Sequence, residues 1–171
     1  MKPLVLLDVD GVLNPQRRSS LRFRRYEVVV DGEAHVILLD PRYGAKLVAL
    51  ARETGAELAW ATSWEQHANA EISPRIGLPH LPVITMAGDL TSRVGEHFKT
   101  RPVADYVRHR PFVWFDDELT PADQDYLHAH LGVGAFLLID IDPRTGLTDH
   151  HLAQARDWLI TTVANQGDVQ A

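Results

Sequence analysis

Residues 4–14 constrain the fold more than any other part of the sequence. Their first four residues, Leu-Val-Leu-Leu, are apolar without interruption, and Asp8-Val-Asp10-Gly11 follows at once. A short apolar run without polar alternation is typical of a central strand that is covered on both faces. Asp8 and Asp10 then follow the carboxyl end of the strand, where open α/β sheets bind ligands. Two neighbouring carboxylates repel each other unless a proton or a cation lies between them. Gly11 allows a sharp turn over the site. A surface turn of the same composition would not normally follow residues of a buried type.

Residues 8–14, which read DVDGVLN, resemble the first motif of the haloacid dehalogenase (HAD) superfamily, D-x-D-G-T/V-L. The resemblance implies that Asp8 is the nucleophile that takes up a phosphoryl group. It also implies that Asp10 is the general acid/base and that its backbone carbonyl ligates magnesium. We expect Gly11 and Asn14, in the same motif, to contact the substrate. An aspartate two positions after the nucleophile favours a phosphatase over a dehalogenase, again by resemblance.

A β-hairpin is predicted directly after this segment. Two β-type runs, residues 26–30 and 34–39, flank an Asp-Gly pair, which is a strong hairpin signal. In the HAD superfamily a small cap or flap is inserted between the first strand and the first helix, so we expect a cap insert over about residues 15–40. Asp40-Pro41 then looks like an N-cap and first helical position, and the helix is predicted to run to about Thr54.

Five of the seventeen basic residues lie between positions 15 and 25, and no acid interrupts them. Two interpretations stay open. One is a solvated basic loop. The other is a rim that attracts phosphate, because the loop leaves the end of the catalytic strand. On the second interpretation three arginines of this loop bind substrate. The five arginines are Arg17, Arg18, Arg22, Arg24 and Arg25, and the first three, here called the loop arginines, are the predicted substrate contacts.

A second core strand is predicted over residues 57–62, followed by Ser63 and Trp64. HAD proteins carry a serine or threonine at the end of their second strand, and its hydroxyl bonds the transferring phosphoryl oxygen. The resemblance assigns that role to Thr62. Thr62 and Ser63 each also begin a capping-box pattern, and we expect Ser63 to cap a helix over residues 64–72. Ser63 and Trp64 are predicted substrate contacts, although Trp64 also suits packing.

Lys99 is the candidate for the third HAD motif, in which an ammonium screens the nucleophile from the phosphate and from the acidic residues. The chain has three lysines. Lys2 lies at the wrong end of the first strand, and Lys46 lies in the first helix. Upstream of Lys99 we predict a short third strand over residues 81–87 and a helix-like segment after position 91.

A second apolar run that ends in acids, residues 111–118, reads PFVWFDDE. It resembles the fourth HAD motif, in which aspartates hold magnesium. The resemblance assigns Asp116 as a direct metal ligand and Asp117 as a second ligand or an outer one. A later D-x-D, Asp140-Ile-Asp142, lacks the following D-G-V-L-type segment, so we interpret it as a structural loop that borders the site. Adjacent histidines at 150 and 151 are interpreted as a surface pair at the start of a last helix that ends near position 162.

Strands and helices alternate at βαβ spacing, which predicts an α/β protein with a three-layer, Rossmann-like parallel sheet. The 171 residues suit a single HAD-like domain with a frayed tail at about 164–171. The chain has no cysteine, which excludes disulfide scaffolds, thiolate catalysis and cysteine-based zinc sites. The net charge of −6 does not indicate a nucleic-acid binder. With no apolar run of ~20 residues and no signal-peptide pattern, we expect a cytoplasmic protein.

Together these features predict a Mg²⁺-dependent phosphohydrolase that works through an aspartyl-phosphate. Carboxylate ligands and phosphate chemistry favour Mg²⁺ as the cofactor. The sequences DVDGVLN, WATSW and WFDDE are similar to those of a small-cap branch of HAD domains associated with RNA-repair proteins, which implies RNA or DNA phosphate ends as substrates. Two alternatives stay open: a phosphatase of a small phosphorylated metabolite, and a catalytically silent binding module on a HAD scaffold.

Overall fold

Four parallel strands form the central sheet of the computed structural model, which describes residues 1–86 and 95–168. The strands are β1 (Leu4–Leu7), β4 (Glu57–Trp60), β5 (Phe112–Asp116) and β6 (Phe136–Asp140). Their order in the sheet is β4-β1-β5-β6. All residues of β1 and β5 are buried, as their unbroken apolar runs predict. Because the strands are parallel, their carboxyl ends meet at one edge of the sheet.

A β-hairpin follows β1, as predicted. Its strands are β2 (Arg24–Val30) and β3 (Glu33–Leu39), paired antiparallel. The two turn residues, Asp31 and Gly32, both have positive φ (52° and 84°), which the Asp-Gly pair supplies readily. Most of the hairpin is exposed, but Val28 and Ile37 are buried in the core beside the sheet. These contacts hold the hairpin over the edge where the acidic residues lie.

Helices cover both faces of the sheet and complete the three layers. On one face helical residues such as Leu47 and Leu159 lie in the core, and on the other face Val103 and Leu127 do. No helix within residues 1–86 and 95–168 is both long and apolar enough to cross a bilayer. The helices are α1 (Tyr43–Thr54), a π-helical turn (Ala68–Ile72), α2 (Ser73–Ile76), α3 (Thr100–Val107), α4 (Pro121–Ala129) and α5 (Asp149–Asp168).

Some local boundaries differ from the predictions. α1 begins at Tyr43, because the Asp40 carboxylate accepts hydrogen bonds from the backbone and the guanidinium of Arg42 and holds a turn there. The predicted strand over 81–87 is reduced, in its described part, to one bridge between Val83 and Trp60. Position 87 and the segment after position 91, up to 94, lie outside the described residues. α5 continues past the predicted end near 162 to Asp168, and residues 169–171 also lie outside.

Candidate active site

Asp8 is the first residue after β1 and lies almost completely buried, with 4% of its surface exposed. The Val9 backbone N–H donates to Asp8 Oδ1 at 2.7 Å. Burial raises the pKa of Asp8 to about 7, the charge of Asp116 adds to the rise, and Lys99 opposes it. The sheet therefore holds a carboxylate in a place where its negative charge needs compensation.

Lys99 supplies part of that compensation. Its Nζ donates to Asp8 Oδ2 at 2.6 Å and to Asp116 Oδ2 at 2.7 Å, and the side chain is 3% exposed. Burial alone would lower the pKa of Lys99, but the charges of Asp8 and Asp116 outweigh it and raise the pKa. Lys99 precedes α3 directly, so the position predicted from the sequence lies between the two acidic strand ends.

Asp116 and Asp117 follow along β5 and complete an acidic group with Asp8. The three residues offer oxygen atoms that all lie within 4.8 Å of one another. Burial raises the pKa of Asp117 to about 6, and the charges of Asp116 and Glu118 add to the rise. Three carboxylates therefore face one ammonium, and a cation bound among them would relieve the remaining repulsion.

Gly11 makes room for this group. Its φ is +70°, and a Cβ added there would lie 2.1 Å from Asp117 Oδ2. Only a glycine leaves space for the Asp117 carboxylate above the turn that follows β1. The glycine of the D-x-D-G pattern is therefore required for two reasons: its backbone is left-handed, and the Asp117 carboxylate approaches it closely.

The Asp10 side chain is not part of the acidic group. Its carboxylate is exposed, and it accepts from Asn14 Nδ2 and from Trp64 Nε1, each at 2.7 Å. The acidic group thus consists of three carboxylates, while Asp10 lines the same cleft as Asp8. The resemblance assigns the Asp10 ligand to its backbone carbonyl, a role that does not require the side chain to join the group.

Thr62 and Ser63 lie at the end of β4. Thr62 is fully buried. Its hydroxyl lies close enough to Asp8 to oppose the rise of the Asp8 pKa, and it accepts from the Trp64 backbone N–H at 3.3 Å. The prediction that Ser63 caps the following helix is wrong, since the π-helical turn begins after His67 and has no side-chain cap. Ser63 is exposed and instead lines the cleft above Asp8.

A cleft of about 700 Å³ opens over Asp8 and Lys99. One wall comes from the hairpin, where Arg25, Val36 and Leu38 face the opening, and Phe98 lies beside Lys99 in the same cleft. Among the five arginines of residues 15–25, Arg25 is the one that lines it. The loop arginines lie elsewhere: the loop runs along the 143–145 turn, held by a hydrogen bond from the Gln16 N–H to the Pro143 carbonyl.

The chain matches the family model of the HAD domain in Swiss Army Knife RNA repair proteins over residues 4–152. That span holds both acidic strand ends, the hairpin and Lys99. The chain belongs to this HAD family. Among curated proteins, no match to the chain is found. The family assignment confirms the resemblance drawn from the motifs, and the Asp8–Asp116–Asp117 group fits a HAD active site.

The donors of this HAD domain suit a hard divalent cation. They are carboxylate oxygens, two of the three are buried, and the pKa of Asp8 and of Asp117 is raised by burial and mutual repulsion. Oxygen-only ligand sets favour Mg²⁺ over the softer transition metals. The acidic cluster could therefore hold a metal ion, and Mg²⁺ is typical of the HAD superfamily.

Asp123 is a residue near the site that none of the sequence motifs includes. It caps α4, together with Thr120. It is also fully buried and accepts from the His97 backbone N–H at 2.6 Å and from the Thr100 hydroxyl at 2.5 Å. Burial would raise the pKa of Asp123, but these hydrogen bonds outweigh it and lower the pKa. Asp123 therefore ties α4 to the segment that carries Lys99.

The two alternative motifs lie outside the acidic group. Asp142 is exposed and paired with Arg144, and Asp140 is also exposed. His150 is exposed, and His151 Nδ1 accepts from the Thr148 backbone N–H at 3.1 Å at the start of α5. These contacts agree with the structural interpretation given to both pairs.

Proposed function

We propose that this HAD domain is a Mg²⁺-dependent phosphohydrolase that removes phosphate from polynucleotide ends through an aspartyl-phosphate. The observation that carries the proposal is the arrangement around Asp8. A buried carboxylate at a strand end contacts one buried ammonium and lies beside two further carboxylates, at the floor of an open cleft. Such a site can accept a dianionic phosphate only with added positive charge, which is the task of Lys99 and a bound metal.

In the first proposed step Asp8 attacks the phosphorus in line. A bond forms between a carboxylate oxygen and phosphorus, and the bond between phosphorus and the leaving oxygen breaks, with its electron pair on that oxygen. Asp10 donates a proton to the leaving oxygen. The Thr62 hydroxyl and Lys99 lie beside Asp8, where they can bind phosphoryl oxygens and keep the nucleophile ionised.

In the second step water attacks the phosphorus of the aspartyl-phosphate. Asp10, now ionised, takes a proton from the water, and the bond to Asp8 breaks, so that inorganic phosphate is released and both side chains return to their first state. Asp8, Asp116, Asp117 and the Asp10 carbonyl would hold the metal. A bound Mg²⁺ would supply charge that stabilises the phosphoryl oxygens.

Two observations support polynucleotide ends as the substrate. The family model describes domains of RNA repair proteins. The cleft of about 700 Å³ is also far larger than a phosphate group needs, and its hairpin wall offers a cation, Arg25, and apolar side chains. A cation and apolar surface next to the reacting phosphate suit a neighbouring backbone phosphate and a base.

The test is phosphate release from a panel, with and without Mg²⁺. The panel holds 3′- and 5′-phosphorylated RNA and DNA oligonucleotides, nucleotides, sugar phosphates and an aryl phosphate. Wild type is compared with Asp8→Asn, and Asp140→Asn serves as the matched control, because Asp140 also lies at the end of an apolar strand but outside the acidic group. We expect Mg²⁺-dependent release that Asp8→Asn abolishes and Asp140→Asn retains, fastest on oligonucleotide ends.

The other outcomes separate the alternatives. If nucleotides or sugar phosphates release phosphate faster than any oligonucleotide end, the proposed substrate class is wrong and the proposed chemistry still holds. Release that survives in Asp8→Asn would refute Asp8 as the nucleophile. No release from any substrate, with Mg²⁺ binding confirmed by calorimetry, would favour the silent binding module.

A further inference from the structure

The Asp10 side chain is exposed, yet both of its oxygens are held. Asn14 Nδ2 donates to Oδ1 and Trp64 Nε1 donates to Oδ2, each at 2.7 Å. An exposed aspartate without such partners populates several rotamers. Two donors from different parts of the chain select one of them. The carboxylate therefore has a fixed direction although solvent reaches it.

Both donors are themselves anchored. Trp64 follows β4, and its backbone N–H donates to the buried Thr62 hydroxyl at 3.3 Å. The indole borders a small cleft of about 210 Å³ on the side of Asp10 that faces His35 and His67. The Trp64 backbone is therefore held next to Thr62, at the strand end that lies beside Asp8.

Asn14 links Asp10 to the hairpin. Its Oδ1 accepts from the backbone N–H of Leu38, in β3, at 2.8 Å, while its Nδ2 donates to Asp10. Leu38 also lines the large cleft. A single amide side chain thus bridges the hairpin wall and the predicted acid/base, so the position of the hairpin and the direction of the Asp10 carboxylate are coupled.

We propose that Trp64 and Asn14 are positioning residues that aim Asp10 at the leaving oxygen, an inference that rests on the proposed function. Both residues were predicted from the sequence as substrate contacts, and the proposal gives their side-chain polar atoms a role on Asp10 and on the hairpin. General acid catalysis contributes about 10²–10⁴-fold when the acid is within hydrogen-bond reach. Misplacing the acid removes part of that factor and leaves the nucleophile, Lys99 and the metal ligands unchanged.

The decisive readout is the dependence on the leaving group. A nitrophenolate leaves without protonation, whereas an alkoxide requires a proton from Asp10. kcat/KM reports the step in which that oxygen leaves. A variant with a misdirected Asp10 therefore loses kcat/KM on alkyl phosphates far more than on 4-nitrophenyl phosphate. A defect in folding, metal binding or nucleophilic attack lowers both.

Trp64→Phe is the main variant, since it removes the N–H donor and keeps an aromatic ring. We expect its kcat/KM to fall roughly 10- to 100-fold on the alkyl phosphate that wild type hydrolyses fastest, and less than about 3-fold on 4-nitrophenyl phosphate. Asn14→Ala is expected to show the same selectivity. Asp10→Asn, which removes the acid itself, should show the largest difference between the losses of kcat/KM on the two esters. Trp158→Phe, at a partly buried tryptophan that packs on the core, is the matched control and should change neither rate.

Equal losses on both esters, or a higher KM with unchanged kcat, would overturn the proposal and indicate a structural or substrate-binding role. Failure of the proposed function itself would be recognised by phosphate release that survives in Asp8→Asn or that is missing in the wild type. In that case the hydrogen bond between Trp64 and Asp10 can still be tested by a measurement that does not require turnover. The Trp64 indole N–H resonance should shift and exchange faster with water in Asp10→Ala, and not in Asp140→Ala. An unmoved resonance would show that the hydrogen bond is absent and would also overturn the proposal.

Discussion

Replacing Lys99 with methionine tests the electrostatic logic of the site most directly. Methionine fills the space of the aliphatic stem and removes only the ammonium. Asp8 and Asp116, which Lys99 contacts at 2.6 and 2.7 Å, then face each other in a buried place without a cation. Removing one partner from a buried ion pair costs about 3–5 kcal/mol, because the remaining charge is uncompensated. In a chain of this length that corresponds to a fall in Tm of roughly 6–20 °C.

The loss of stability in Lys99→Met should depend on pH and on bound Mg²⁺. In the wild type the pKa of Asp8 is raised from 3.8 to about 7. Between these values the folded state binds more protons than the unfolded state, so this group makes stability fall as pH rises. Lys99 lowers the pKa of Asp8, so its removal raises that pKa further and moves the fall to higher pH. The Lys99→Met deficit should therefore be larger at pH 8 than at pH 5.5, and Mg²⁺ should reduce it.

The assay is urea unfolding in EDTA at both pH values, repeated with Mg²⁺. Lys46→Met is the matched control, because Lys46 pairs with the exposed Asp149 at the surface, and such pairs contribute about 0–1 kcal/mol. A Lys99→Met deficit no larger than that of Lys46→Met, or one independent of pH and Mg²⁺, would refute the reasoning.

Three further predictions concern the surroundings of the site. Asp123→Asn should lower the free energy of unfolding at pH 7 by about 2–3 kcal/mol in urea titrations, because every group that contacts the Asp123 carboxylate is a hydrogen-bond donor. The pKa of Asp123 is lowered in the folded state, so its contribution is lost as pH falls through that pKa and the difference from wild type should shrink in acid. The control Asp125→Asn, at an exposed position, should change stability little. Gly11→Ala should abolish phosphate release and destabilise the fold, because the added Cβ would lie 2.1 Å from an Asp117 carboxylate oxygen. Gly55 is the matched control, since it has the same left-handed backbone (φ 69°) but open space around it. Gly55→Ala should therefore lower the free energy of unfolding by only about 1–3 kcal/mol and retain activity. Arg25→Ala should weaken oligonucleotide binding and flatten its salt dependence. The effect should be larger than that of replacing all three loop arginines by alanine. A larger effect of the triple variant would indicate that the loop, and not Arg25, attracts the phosphates.

Local sequence patterns determined the elements of the fold and the place of the acids. An apolar run without alternation can be satisfied only inside a sheet, so Asp8 and Asp116 had to follow buried strands, and parallel pairing brings such ends to one edge. The Asp-Gly pair specified the hairpin turn through its own backbone preferences. In each case the physical cause lies within a few residues of the pattern that reports it.

Contacts between distant segments were decided only by the tertiary structure. The arginines of residues 15–25 look alike in the sequence, but the docking of the hairpin on the core places Arg25 in the cleft and leaves the loop arginines outside its lining. The bonds from Asp123 to His97 and Thr100 depend on how α4 packs next to α3. The pairing of Asp10 with Trp64 joins residues 54 positions apart. No local pattern encodes such pairings, because they depend on how whole elements pack and not on the propensity of any single residue.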